Sequence, residues 1–99
     1  MIKVFISQPM KDKTDEQIEA ERNHAIQVIK EKYHDDVEII DSFFKSAPHD
    51  AKPLWFIGKS LQMLADADIA YFVKEWDRYR GCKIEHTCAK EYGIGVIEE

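Results

Sequence analysis

Two periods alternate along the chain. Ile2 to Ile6 (Ile-Lys-Val-Phe-Ile) is short, β-branched and aromatic, and it reads as a strand. Ser7-Gln8-Pro9-Met10 stops it, because Pro9 donates nothing to a sheet ladder. Thr14 then has the setting of a helix N-cap. Gln17 follows at capping-box spacing, and Asp15 and Glu16 suit the positive end of the helix dipole. Ile18, Ala25, Ile26, Ile29 and Tyr33 fall on one stripe at helical spacing, and Lys30 and Lys32 suit the negative end. This predicts a helix over Asp15 to Tyr33.

Val37 to Ile40 reads as the second strand. Asp41 to Lys52 is a polar and aromatic loop, long enough to be a candidate for function. Pro53 suits the first turn of a second helix, with Leu54, Ile57, Leu61 and Leu64 as its expected buried face. Asp68 to Val73 is nearly all apolar, the pattern of a central parallel strand covered on both faces. A charged and aromatic loop, Lys74 to Arg80, follows. Gly81 opens a third helix with Ile84, Cys88, Ala89 and Tyr92 expected inward, and Gly93 is its expected stop. Ile94 to Ile97 is the last strand. The order β-α-β-α-β-α-β predicts an α/β fold with right-handed crossovers. The expected architecture has three layers around a parallel sheet of four strands in the order 2-1-3-4, flavodoxin-like or Rossmann-like. Its pocket is expected outside the carboxyl ends of the strands, near the switch between the first and third.

Composition narrows this picture without redirecting it. The 99 residues allow one domain, spanning 1–99, and a composition of 44% hydrophobic and 33% charged residues is that of a globular chain. The net charge of −5 disfavours a nucleic-acid backbone as partner, although a local basic patch for one phosphate stays open. No apolar run approaches the roughly 18 residues needed to span a membrane. Residues 1–7 are too short and lack the cleavage site of a signal peptide. The expectation is a cytoplasmic protein. Cys82 and Cys88, six apart on one helix, point away from each other and are expected to be reduced thiols. A domain this small has little core of its own, so a homodimer or larger homo-oligomer is expected.

Four segments converge on the expected pocket: Ser7-Gln8-Pro9-Met10, Asp41-Ser42-Phe43-Phe44, Lys74 to Arg80, and the first turns of the third helix. Their mix of hydroxyls, carboxylates, arginines and aromatics suits a small polar ligand with a flat apolar part, such as a nucleoside or nucleotide. Phe43, Phe44, Trp76 and Tyr79 are candidates to stack a base; the competing reading is that they pack the core or a subunit interface. Arg78, Arg80 and Lys83 are candidates to hold a phosphate at the N-terminus of the third helix, against the competing reading of solvated charges. Glu85 sits beside the apolar stripe of that helix, within its first turns. A carboxylate there attacks or stabilises an electron-poor sugar carbon, as retaining glycoside chemistry requires; the competing reading is an ordinary solvated glutamate. Cys82 and His86 are four apart, but no second pair has matching ligand spacing, so no metal site is expected. His24, His34 and His49 are expected on the surface. No Gly-x-Gly-x-x-Gly, Walker loop or Gly-x-Ser-x-Gly is present, and no cofactor is implied.

Three stretches carry a family likeness: the opening strand running into Ser7-Gln8-Pro9-Met10; Ala65-Asp66-Ala67-Asp68-Ile69-Ala70; and Arg80-Gly81-Cys82-Lys83-Ile84-Glu85-His86, followed by Ala89 and the strand Ile94 to Ile97. In these the chain resembles the nucleoside 2-deoxyribosyltransferase-like superfamily, and within it a small branch found in bacteria and phages. In that superfamily a Gly, three residues and a Glu open the corresponding helix, and the Glu is the nucleophile. The resemblance therefore implies that Glu85 is the nucleophile, with Gly81 at the head of its motif. Members usually carry an Asp in the helix before the third strand; aligned on Asp68, that position here is Ser60. A serine is no general acid at neutral pH. The resemblance then implies that Asp77 or Asp41, or a hydrogen bond to the base itself, assists the leaving group. Members also commonly continue past the fourth strand into a segment that completes a neighbour's pocket. Since the 99 residues stop after that strand, part of this apparatus is expected to be missing.

Two functions of different class follow. One is an enzyme that hydrolyses or transfers an N-glycosidic bond of a nucleoside or nucleoside monophosphate, with Ser7, Gln8 and Ser42 on the sugar or phosphate and the aromatics on the base. The alternative is a non-catalytic nucleotide-binding protein on the same fold, sensing or sequestering its ligand. A scaffold that binds only another protein is the blander third.

Overall fold

The computed structural model describes residues 1–34, 36–42 and 47–99. Its elements are β1 (Ile2–Ser7), α1 (Asp15–Tyr33), β2 (Val37–Ile39), α2 (Pro53–Leu64), β3 (Ile69–Phe72), a single 3-10 turn (Trp76–Arg78), α3 (Arg80–Glu91) and β4 (Gly95–Glu98). The strands form one parallel sheet in the order β2-β1-β3-β4. This is the expected α/β, Rossmann-like order.

Local chemistry explains the boundaries. Thr14 Oγ1 accepts from the Gln17 amide at 3.1 Å, and the Thr14 amide donates to Gln17 Oε1 at 2.9 Å, a complete capping box that starts α1. Pro53 occupies the first turn of α2, where its missing N–H leaves no helical bond unmade. Gly93, at φ 74°, ends α3: its amide reaches the Lys90 carbonyl, and the Ile94 amide reaches the Ala89 carbonyl at 2.9 Å. This is the Schellman arrangement, which needs the left-handed backbone glycine tolerates. β2 and β3 are shorter than the apolar runs predict, yet hydrogen bonds continue beyond them, from Ile40 to the Val4 carbonyl, Asp68 to Lys3 and Val73 to Ser7.

Alternation along the strands separates two cores. Val4, Ile6, Tyr71 and Val73 face α1, meeting Ala25 and Ile29. Phe5, Ala70 and Phe72 face the other way, meeting Leu64 of α2 and Ala89 of α3. The sheet is therefore covered on both faces, which is why β3 reads as nearly continuous apolar sequence.

The helix faces correct two expectations. Leu54 is 77% exposed, so the buried side of α2 runs through Leu64, with Ile57 and Leu61 partly covered. On α3, Ile84 is 36% and Tyr92 84% exposed; Cys82, Glu85 and Ala89 are the buried positions, and Cys88 is half-buried. The helix is rotated from the apolar stripe because a carboxylate, with polar partners waiting for it, takes an inward position. Both cysteines are free. Among the described residues no helix is long and apolar enough to cross a membrane.

Candidate active site

From Val4 to Ile6 β1 is apolar on both faces, and its last residue is polar. There Ser7, buried and directed toward α3, donates its hydroxyl proton to Glu85 Oε1 at 2.6 Å, across 78 positions of sequence. The Ser60 hydroxyl of α2 also lies close enough to this carboxylate to favour its charged form. Glu85 is only 6% exposed. Loss of hydration pushes its pKa up, and Ser7 and Ser60, which favour the charged form, oppose that push without cancelling it. Cys82, buried one helical turn before Glu85, lines the same cleft. Burial pushes this thiol up to about 11, so it keeps its proton at neutral pH. The Ser7 bond fixes one oxygen of Glu85.

This carboxylate faces an open cleft of about 870 Å³ at the carboxyl ends of the strands. Gln8, Pro9 and Met10 line it from the end of β1, and Ser42 lines it from beyond β2. Ser60 lines it from α2; Arg78, Arg80 and Gly81 come from the approach and first turn of α3. Gly81 has a packing reason: a Cβ there would come within 3.0 Å of Ile57 Cδ1, so the bare backbone lets α3 sit against α2 and brings Ser60 to Glu85. Tyr79 supplies no side-chain cap to α3, and the first residues of that helix line the cleft together with Arg78. Gln8 is buried; its Nε2 donates to the Ile18 carbonyl of α1, while its Oε1 finds no donor among the described residues. Asp12 and Glu75, on the loops after β1 and β3, also line the cleft. Both hold left-handed backbone, at φ 63° and 72°, a conformation that costs a non-glycine residue energy and concentrates at functional sites.

Other sequence candidates lie elsewhere. Asp77 is exposed in the 3-10 turn and does not line the cleft. Asp41 is exposed outside it too, with its charge near the Arg22 guanidinium. Trp76 is a packing residue. Its ring stacks on His86 at 4.0 Å between centroids and 14° between planes and tilts on Phe72 at 5.4 Å, while His86 Nε2 meets Glu98 Oε2 at 2.7 Å. That cluster ties α3 to β3 and β4 rather than offering a face to a ligand. Phe43 and Phe44 lie outside the described residues. The cleft residues that sequence reasoning missed are Phe5, Ile6, Lys11, Asp12, Phe56 and Ile57; Glu75 falls within the expected segment Lys74 to Arg80 but was not singled out. Only the apolar periodicity of α2 pointed at Ile57, and it assigned that residue to the core. Among the described residues no three His, Cys, Asp or Glu side chains group as metal ligands.

Fold and site together define a parallel α/β domain with, among the described residues, one buried carboxylate, bonded by Ser7, at the strand-order switch. Compared with known proteins, the chain matches no family model, no curated protein and no solved structure.

Proposed function

We propose that the chain hydrolyses or transfers the N-glycosidic bond of a nucleoside or nucleoside monophosphate, as a member of the nucleoside 2-deoxyribosyltransferase-like superfamily that it resembles. One observation carries this reading: Glu85, buried at the carboxyl ends of the strands, with Ser7 Oγ 2.6 Å from its Oε1 and an open cleft beyond it. Glu85 attacks the anomeric carbon and forms a glycosyl ester; water or a second base then takes the sugar. Ser7 holds the carboxylate in place. Arg78, Arg80 and the free amides of α3 receive a phosphate. Phe56 and Tyr79 offer aromatic surface to the base. The reading takes the protein as a cytoplasmic homo-oligomer without a cofactor, in line with its two free thiols. Light scattering at micromolar concentration checks the assembly: a dimer mass or larger is expected, and a monomer mass contradicts it.

A second reading has its own observation. Glycoside chemistry pairs two carboxyl groups at the bond that breaks, and Glu85 is the one carboxylate buried in the cleft among the described residues. That favours a nucleotide-binding protein without turnover. One experiment separates the two. The protein is incubated with a panel of nucleosides and nucleoside monophosphates, free base is followed by chromatography, and thermal unfolding is followed with each compound. Base release supports the enzyme. A thermal shift without release from any compound supports the binding protein.

A further inference from the structure

Among the described residues the site around Glu85 lacks two things, a counter-charge for the carboxylate and the acid that cleavage of a neutral nucleoside requires. The first is a counter-charge. The carboxylate is met by serine hydroxyls, and among the described residues no cation pairs with it; the ion pairs are Lys13 with Glu21 and His86 with Glu98. Arg78 and Arg80 line the same cleft but are exposed to solvent. A buried carboxylate with no positive partner is costly, and a ligand that brings positive charge relieves that cost.

The second is an acid. A neutral purine or pyrimidine leaves as a poor anion unless a proton reaches it as the bond breaks. The other carboxylates of the cleft, Asp12 and Glu75, are on its solvent-exposed side. The α2 residue on Glu85 is Ser60, which is no acid at neutral pH. The Cys82 thiol holds its proton. Residues 43–46 read Phe-Phe-Lys-Ser and contribute no carboxyl group by composition.

One substrate chemistry supplies both. Building on the N-glycosidase reading, we infer that the site takes nucleotides whose base is already cationic, a pyridinium or N7-alkylpurinium N-glycoside, in preference to neutral ones. The positive ring sits against the Glu85 carboxylate, which no cation among the described residues pairs. A Glu85 oxygen bonds to the anomeric carbon, the C–N bond breaks, and its electron pair neutralises the ring nitrogen, so the base departs neutral with no proton needed. Water then bonds to the anomeric carbon, the ester C–O bond breaks, and its pair returns to Glu85. The water's proton goes to solvent. Each turnover yields one neutral base, one free sugar phosphate and one proton.

The test uses the full chain with nicotinamide mononucleotide and 7-methylguanosine monophosphate as cationic probes, against adenosine, guanosine and deoxyadenosine monophosphates. Base release is measured relative to Glu85→Gln, which removes differences in intrinsic lability. The expected result is Glu85-dependent release from the cationic probes, at least about 100-fold above that from the neutral ones, the low end of what a general acid contributes. Ser60→Asp, which puts a second carboxyl group beside Glu85, is expected to raise release from the neutral probes; a folded variant with no gain contradicts the missing-acid argument. Equal Glu85-dependent release from neutral and cationic probes overturns the inference and leaves the N-glycosidase reading standing. No release from any probe overturns both. The wild-type comparison decides the matter even if Ser60→Asp does not fold.

Discussion

α1 covers one face of the sheet by setting Ala25 and Ile29 against Val4, Ile6, Tyr71 and Val73. α3 covers the other with Cys82, Glu85 and Ala89, so one of its three buried positions carries an ionisable carboxyl group. The strands serve both faces by simple alternation, and the difference appears only at their carboxyl ends. On the α1 side β1 finishes with Ile6; on the α3 side it finishes with Ser7, bonded to Glu85. The first face is built for burial of apolar surface. The second gives up part of that burial to hold a buried carboxylate at a polar-lined, open cleft. Such an exchange of stability for a reactive group marks functional sites more often than structural ones.

The comparison breaks most visibly at Glu85. Glu85→Gln keeps the volume and a hydrogen-bond acceptor for Ser7 but removes the charge. Base release is expected to fall by at least about 10³-fold, as when other enzymes lose a nucleophile. The same change is expected to stabilise the fold by about 1 kcal/mol at neutral pH, within the range for relieving a strained functional group. The sign follows from the raised pKa. The folded state binds the Glu85 proton more tightly than the unfolded chain, so the stability this gives is complete below the ordinary carboxyl range. It is lost as pH rises through the raised value. Denaturant unfolding at pH 4 and pH 7 checks this: wild type loses stability over that interval at this position, and Glu85→Gln does not.

The opposite change belongs to the opposite face. Ile29→Ala empties a site in the α1 core and is expected to cost about 2–5 kcal/mol by urea unfolding. Below the melting temperature its kcat/KM is expected to stay near wild type, because Ile29 does not line the cleft. A large fall in kcat/KM without loss of stability contradicts the division.

Ser7→Ala acts between these extremes. A hydrogen bond to a charged group contributes about 1.5–3 kcal/mol. Losing it leaves desolvation less opposed and moves Glu85 further up. The acidic limb of the pH–rate profile is then expected to shift to higher pH by about 1 unit, with Ser7→Thr restoring it. An unmoved limb contradicts Ser7 as the group that holds the carboxylate. The smallest effect is expected at Gly81. Gly81→Ala forces Ile57 Cδ1 to give way by a few tenths of an ångström, about 1 kcal/mol of stability, with a modest rise in KM as Ser60 and Glu85 separate.

The two faces also differ in how well the sequence announces them. The capping box at Thr14, the stripe from Ile18 to Tyr33 and the apolar run through Ala70, Tyr71 and Phe72 are local signals, and they suffice for α1, β3 and the strand order 2-1-3-4. The site depends on pairings that local patterns do not carry. Ser7 and Glu85 are 78 positions apart. The rotation of α3 is set by that bond and by Gly81 against Ile57, so counting apolar residues turned Ile84 and Tyr92 inward and put Glu85 only beside the buried stripe. Trp76 misleads for the same reason. An aromatic in a strand-end loop suggests a stacking platform, and only packing reveals that His86 and Phe72 already occupy its faces. Ser60 was legible as a position, through its alignment on Asp68, but its closeness to Glu85 was not.

The most direct test of the central claim is base release by wild type and by Glu85→Gln on the best nucleotide found, with thermal unfolding of both proteins recorded beside it. The account predicts release by the wild type and none above background by a variant that melts at the same temperature or higher. Release by the variant at a comparable rate would contradict Glu85 as the nucleophile and leave the buried carboxylate without the role assigned to it.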